Sequence, residues 1–253
     1  MPRNPDYVDP GNPDGVRIGY GMIEPYMKRV LEGYDGERNS AGQRHGRGVY
    51  RYANGEVYEG DWKDDNMHGR GVYLYASGDV YEGGFKDGKR HDRGVYRYAS
   101  GAIYEGNYKD DRKHGRGVFR YAIGEVYDGD FKDDKKHGKG VYRYGNGDIY
   151  EGDYKDDKKH GRGVLRWADG NVYEGDWQDG NYHGRGVYRY ASGNVYDGDF
   201  KDDKKHGRGV FRYASGAVYD GDWQDGKRHG RGVYRYADGS IAYDGQWEAD
   251  QLV

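Results

Sequence analysis

The chain has 253 residues, no cysteine, 47 glycines and 30 tyrosines, with a formal charge of -3 from 41 basic and 44 acidic side chains. Leu, Ile, Val and Phe make up about 13% of it, below the ~20% under which chains usually stay disordered, so any core must be aromatic and thin. Charge balance excludes a strong global field toward nucleic acid or an anionic membrane, and the lack of thiols excludes disulfides, cysteine-bearing zinc sites and thiol nucleophiles.

In chain order, residues 1–33 form a non-repeating arm. Within it Glu24–Leu31 carries Pro25 near a helix start and apolar Met27, Val30 and Leu31, which fits a short end-capping helix as well as an unstructured arm. No apolar stretch approaches the ~18 residues needed to span a bilayer, so the expectation is a soluble, cytoplasmic protein. From residue 34 to 253 the chain repeats with a period of 23 residues: all nine histidines, from His45 to His229, keep that spacing, as do nine glycines from Gly55 to Gly239.

Inside a unit, Arg47–Tyr52 and Val57–Trp62 alternate with period two and are rich in aromatic and β-branched residues, the pattern of strands. Ala53-Asn54-Gly55 between them predicts a three-residue hairpin loop with Gly55 left-handed, and Gly78 repeats it. The register that follows sets Tyr50 opposite Tyr58, Gly48 opposite Gly60 and Arg47 opposite Asp61. One face then bears Gly48, Tyr50, Tyr52, Tyr58, Gly60 and Trp62, and the other Val49, Arg51, Val57 and Glu59. Gly48, Gly60 and Gly71 are expected beneath rings of neighbouring strands, where a Cβ would push the ring away. The segment Lys63–Gly69 is expected to be a longer turn leading to the next hairpin, with His68, His137 and His183 as structural turn residues. The fold class is therefore all-β: an elongated, twisted antiparallel sheet of about nine to ten tandem hairpins, on the order of 90 Å long. The first and last units are irregular, the last through an inserted Ala242.

These units resemble the MORN (membrane occupation and recognition nexus) repeat, approximately YxGxWxxGxxHGxG. Tyr173-Glu-Gly-Asp-Trp177-Gln-Asp-Gly180-Asn-Tyr-His183-Gly-Arg-Gly186 fits every fixed place, and the likeness extends over residues 34–253. Departures are Phe or Tyr for Trp at Phe85, Tyr108, Phe131, Tyr154 and Phe200, Asp for Gly at several turns, and Asp92 after His91. The stretch Tyr34–Gly48 is similar to the irregular first repeat of the radial-spoke-head MORN protein of cilia and flagella. That resemblance implies an architectural subunit of the ciliary or flagellar axoneme, docked to other spoke-head proteins. Some MORN proteins are implied to bind phospholipid, so a peripheral membrane tether is the alternative.

Equivalent histidines in successive hairpins sit ~9.5 Å apart, too far to share one ion, so neither metal nor cofactor is expected. Acidic residues recur in every unit (Glu59, Glu82, Glu105, Asp128), whereas a catalytic pair needs one unusual pocket; they suit cross-strand pairing with Arg51 and its equivalents. No zincin, phosphate-loop or dinucleotide fingerprint occurs, and the chain is expected not to be an enzyme. Lysine pairs such as Lys158-Lys159 are offset by neighbouring aspartates, which disfavours a lipid headgroup surface. The remaining reading is a scaffold whose aromatic face binds another protein. Its rings are Tyr52, Trp62, Tyr75, Phe85, Tyr98, Tyr108, Tyr121, Phe131, Tyr144, Tyr154, Trp167, Trp177, Tyr190, Phe200, Tyr213 and Trp223, and self-association of the array stays open.

Overall fold

A computed structural model describes residues 32–253; the helix considered over Glu24–Leu31 lies outside them. The described chain contains twenty strands and no helix. It begins β1 (Gly33–Arg38), β2 (Arg44–Arg51), β3 (Val57–Lys63), β4 (Asn66–Leu74) and ends β19 (Ile241–Glu248), β20 (Gln251–Leu252). Every strand pairs antiparallel with the next in sequence, giving a single open meander. The expected β2–β3 register is the one found, with Tyr50 opposite Tyr58, Gly48 opposite Gly60 and Arg47 opposite Asp61. At the last unit the inserted Ala242 is taken up by a register shift between Tyr234 and Arg235.

Two kinds of reversal alternate along the sheet. In the first, Gly55 N–H donates to the Tyr52 carbonyl at 3.0 Å, Tyr52 N–H donates to the Glu56 carbonyl at 2.9 Å, and Gly55 is left-handed at φ 87°. The second differs from the sequence expectation. Instead of a seven-residue connection, Lys63 pairs with Asn66 across a two-residue turn, Asp64-Asp65, with φ 47° and 65°. Two consecutive left-handed residues make the hairpin turn whose twist matches that of its strands, and Asp, Asn and Gly tolerate it best. Asp-Asp or Asp-Gly stands there in the following units, and Ala249-Asp250 in the last. His68 is accordingly a strand residue opposite Asp61, and so are His137 and His183 on their own strands, rather than turn residues.

Numbering each unit from its first tyrosine (Tyr58, Tyr81 and onward), positions 12 and 13 form a bulge. Gly69 and Arg70 are extra between His68, opposite Asp61, and Gly71, opposite Gly60. Gly69 is left-handed at φ 60°, and the Asp61 carboxylate accepts the Arg70 N–H at 2.9 Å, satisfying a donor the ladder leaves over. Asp92 occupies the glycine place at φ 58°. Its facing residue is Gly84 where the other inner units carry Asp or Asn and the end units Glu37 and Gln246, so the two side chains have exchanged strands: a Cβ on Gly84 would collide with the His91 carbonyl and lie 3.2 Å from the Asp92 Cβ.

The core is a file of rings on one face. Tyr58, Tyr81, Tyr104, Tyr127, Tyr150, Tyr173, Tyr196 and Tyr219, at position 1, are completely buried. Each ring lies over a glycine pair: a Cβ on Gly60 would sit 2.5 Å from the Tyr58 hydroxyl, and one on Gly71 2.5 Å from its Cε2. The ring covering Gly60 therefore belongs to the same strand, and Gly71 supplies the space on the neighbouring one. The Tyr58 hydroxyl donates to the Asp61 carbonyl at 2.9 Å. Position-1 rings meet the position-5 rings of their own and the next unit edge to face, as Tyr58 does with Trp62 (5.0 Å, 87°) and Phe85 (5.0 Å, 80°). This zigzag runs on to Tyr219 and Trp247 and favours the ring quadrupoles at every step.

Candidate functional site: the aromatic and basic face

The sixteen rings proposed from sequence divide into two rows with different environments. Those at position 5 (Trp62, Phe85, Tyr108, Phe131, Tyr154, Trp177, Phe200 and Trp223) are only 4–5% exposed, so they are core and are not open to a partner in this structure. Tryptophans there also anchor the sheet, with Trp177 Nε1 donating to the Gly163 carbonyl at 3.2 Å. Tyr108 and Tyr154 leave their buried hydroxyls without a hydrogen-bond partner. The rings at position 18 (Tyr52, Tyr75, Tyr98, Tyr121, Tyr144, Trp167, Tyr190 and Tyr213) are half-buried and keep an accessible edge.

What closes the face over positions 1 and 5 is position 10, which reads as an exposed turn residue when the turn is taken to be long. Once the turn is two residues, position 10 falls on a strand opposite position 5, as Lys136 does opposite Phe131. Its side chain is laid across the rings: Lys136 Nζ is 4.7 Å from the Tyr142 centroid and 5.7 Å from those of Tyr127 and Tyr154. Lys159 covers Tyr150 and Trp177, Lys205 lies 4.1 Å from the Trp223 centroid, and Arg44, Arg90, Lys113 and Arg228 do likewise. Met67 and Tyr182 hold the equivalent places. Lys159 is thus no exposed turn charge, although its neighbour Lys158 is exposed.

Arginine and lysine behave differently in this row. Each arginine is clamped by the aspartate of the next turn, with Arg44, Arg90 and Arg228 Nε 3.0, 3.1 and 3.0 Å from Asp65, Asp111 and Asp250. The planar guanidinium reaches both the carboxylate and the turn carbonyl, a geometry an ammonium lacks. Lys113, Lys136, Lys159 and Lys205 have no carboxylate within 4 Å of their Nζ among the described residues. Burial pushes all four below the ordinary lysine range, Lys205 to about 8, while more distant carboxylates, Asp134 for Lys113, Asp157 for Lys136, Asp148 for Lys159 and Asp250 for Lys205, act in the opposite sense.

The opposite face is self-neutralised. Over a floor of valines, the position-13 cations pair with acids of the next unit: Arg116 with Asp128 at 2.9 Å, Lys139 with Asp153 at 2.6 Å and Arg162 with Asp176 at 2.8 Å. The partner expected from sequence was Arg51 and its equivalents at position 17; of that kind Arg189–Glu174, at 3.6 Å, is present. A shallow groove of about 530 Å³ lies there, lined by residues that include Val141, Val164, Glu151 and Arg162. His45, His68, His114, His137 and His183 each face an aspartate of the next turn, as His68 faces Asp87 at 3.8 Å, while His91 contacts its neighbour Asp92, and no group of three or more potential metal ligands occurs among the described residues.

Among the described residues, a single-layer array of closely similar hairpins defines a repeat scaffold. The MORN repeat profile matches nine consecutive units, residues 40–57, 58–80, 81–103, 104–126, 127–149, 150–172, 173–195, 196–218 and 219–241, and the chain belongs to the MORN-repeat family. No curated protein matches it. Among solved structures it is similar to the wild-type TCP10 domain of Danio rerio CPAP in complex with a peptide of Danio rerio STIL, at 10% identity and a TM-score of 0.45, covering 85% of this chain and 100% of that one. The SAS-4 TCP domain of Drosophila melanogaster, in complex with a proline-rich motif of Ana2, has 12% identity and a TM-score of 0.33, covering 86% and 97%.

Proposed function

We propose that the array is a non-catalytic scaffold that holds a segment of another protein along its tyrosine- and lysine-bearing face. The observation that carries this reading is the position-18 row: half-buried rings such as Tyr98, Tyr121 and Tyr144 recur in every hairpin with an accessible edge. Aromatic groups whose apolar body is already ordered lose little entropy on binding and commonly anchor interfaces. The resemblance of Tyr34–Gly48 to a spoke-head first repeat supports a place in the radial spoke head of the axoneme, with spoke-head subunits as partners.

Affinity purification from isolated axonemes, with wild type and a Tyr98→Ala/Tyr121→Ala variant, tests both halves. Recovery of spoke-head subunits by wild type, with loss in the variant, is the expected result. Equal recovery by both would refute the role of this face. Capture by anionic vesicles without any axonemal partner would instead favour the phospholipid tether.

A further inference from the structure

Three consecutive units, the fourth member of whose row is replaced by Tyr182, place the unpaired ammonium groups of Lys113, Lys136 and Lys159 on the aromatic face. The nearest acids stand more than 4 Å from these ammonium groups, acting on them only through space, and accept hydrogen bonds from neutral donors. Asp134 and Asp157 accept the backbone N–H groups of Lys113 and Lys136, both at 2.9 Å, and Asp148 accepts that of Ala168, also at 2.9 Å. Glu125 accepts from the Tyr142 hydroxyl and the Gly145 N–H. The row is bounded on one side by Arg90, neutralised by Asp111, and on the other by Tyr182, which is stacked on Tyr173 at 4.0 Å.

Successive hairpins advance by ~9.5 Å, two strand spacings. An extended polypeptide advances ~3.1–3.3 Å per residue, so three residues cover about 9.3–9.9 Å. We propose that Lys113, Lys136 and Lys159 bind an extended acidic segment of a partner protein lying along the array, with a carboxylate at every third residue. This inference rests on the scaffold reading and specifies the chemistry of its partner. Burial holds the three lysines below their usual range, and an arriving carboxylate restores the stabilisation of the charged form that water no longer supplies. Met67, in the same place of its own unit, shows that an uncharged side chain of similar length packs there.

The test uses the full chain and a fluorescein-labelled peptide of four Glu-Pro-Ala triplets, read by anisotropy at low salt. A peptide of the same composition with its glutamates contiguous is the register control. The Lys113→Met/Lys136→Met/Lys159→Met variant is expected to bind the spaced peptide about thirtyfold more weakly than wild type, while Lys135→Met/Lys158→Met, at exposed neighbouring positions, stays within about twofold. An unchanged melting temperature or a higher one shows that the triple variant is folded. Equal binding by the triple variant, equal affinity for the contiguous peptide, or binding of phosphatidylserine vesicles in place of the peptide would each overturn the proposal. Should the triple variant keep the axonemal partner that Tyr98→Ala/Tyr121→Ala loses, the acidic segment falls and the scaffold reading stands; should both variants keep it, the two fall together.

Discussion

The exchange of Gly84 and Asp92 across one bulge yields a double-mutant cycle with a defined sign. In the neighbouring unit the carboxylate of Asp61 occupies the space beside Gly69, with a Cβ on Gly69 meeting its Oδ2 at 2.5 Å. Gly84→Asp alone places two side chains in a space that holds one, against the His91 carbonyl, and overpacking of this kind costs about 1–3 kcal/mol. Asp92→Gly alone empties that space, and since it gives up only an exposed contact with His91 it should cost at most about 1 kcal/mol. The double variant removes the Asp92 side chain from that space and gains a carboxylate able to accept the Arg93 N–H, as Asp61 accepts that of Arg70, and, with the His91 carbonyl still to be accommodated, should recover most of the loss seen in Gly84→Asp alone. The coupling is then about 1–3 kcal/mol, visible in thermal denaturation and, because contacts are local, as hydrogen exchange confined to the two strands concerned. Strict additivity of the two single variants would refute the exchange.

Tyr108→Phe and Tyr154→Phe remove buried hydroxyls that lack partners, at a position where Phe85, Phe131 and Phe200 already serve; each should stabilise by about 1 kcal/mol, and a lowered melting temperature would argue that these hydroxyls are satisfied. Gly140→Val should destabilise by about 1–3 kcal/mol, because its Cβ would fall 2.5 Å from the Tyr127 ring, and an unchanged melting temperature would remove the ring-on-glycine account. Lys205 titrates near 8 when folded against 10.5 normally, so between those values the unfolded chain binds more protons and stability should rise with pH. Comparing wild type with Lys205→Met by denaturation at pH 7 and pH 10.5 should show wild type gaining on the variant; a constant difference would refute the shift.

The 23-residue period, the hairpin register and the glycine beds are all legible in the sequence, because alternation and glycine placement follow from backbone geometry alone. The second turn was harder to read. Asp64 and Asp65 share the tolerance for left-handed backbone, but a hydrophilic run from Lys63 to Gly69 also suits a longer loop, and only pairing distinguishes them. That one boundary decided the site. With position 10 in a loop its lysines look solvated and the position-5 rings look open; with position 10 on a strand it roofs those rings, and the accessible aromatic edge passes to position 18. The signal was present in the unit itself, since position 10 carries Met67 and Tyr182 in places where a solvated turn would gain nothing from them. The position-13 pairing was open to the same register, which sets Arg47 opposite Asp61 as Lys139 stands opposite Asp153 and Arg162 opposite Asp176, but the acids at position 2 and the arginines at position 17 also share that face and look equally suited from sequence.

Each second turn is also fastened backward. Asp65 N–H donates to the Arg44 carbonyl at 3.0 Å while its carboxylate accepts the Arg44 N–H at 2.9 Å, and Gly88 N–H donates to the Met67 carbonyl at 2.9 Å. A hairpin therefore leans on the one before it and on none farther back, so tension between two attached partners would peel units singly from an end. One freed unit of 23 residues spans about 75–80 Å when drawn out, against the ~9.5 Å it occupies folded. An array built this way can lengthen several-fold under load while the units still in place keep their shape.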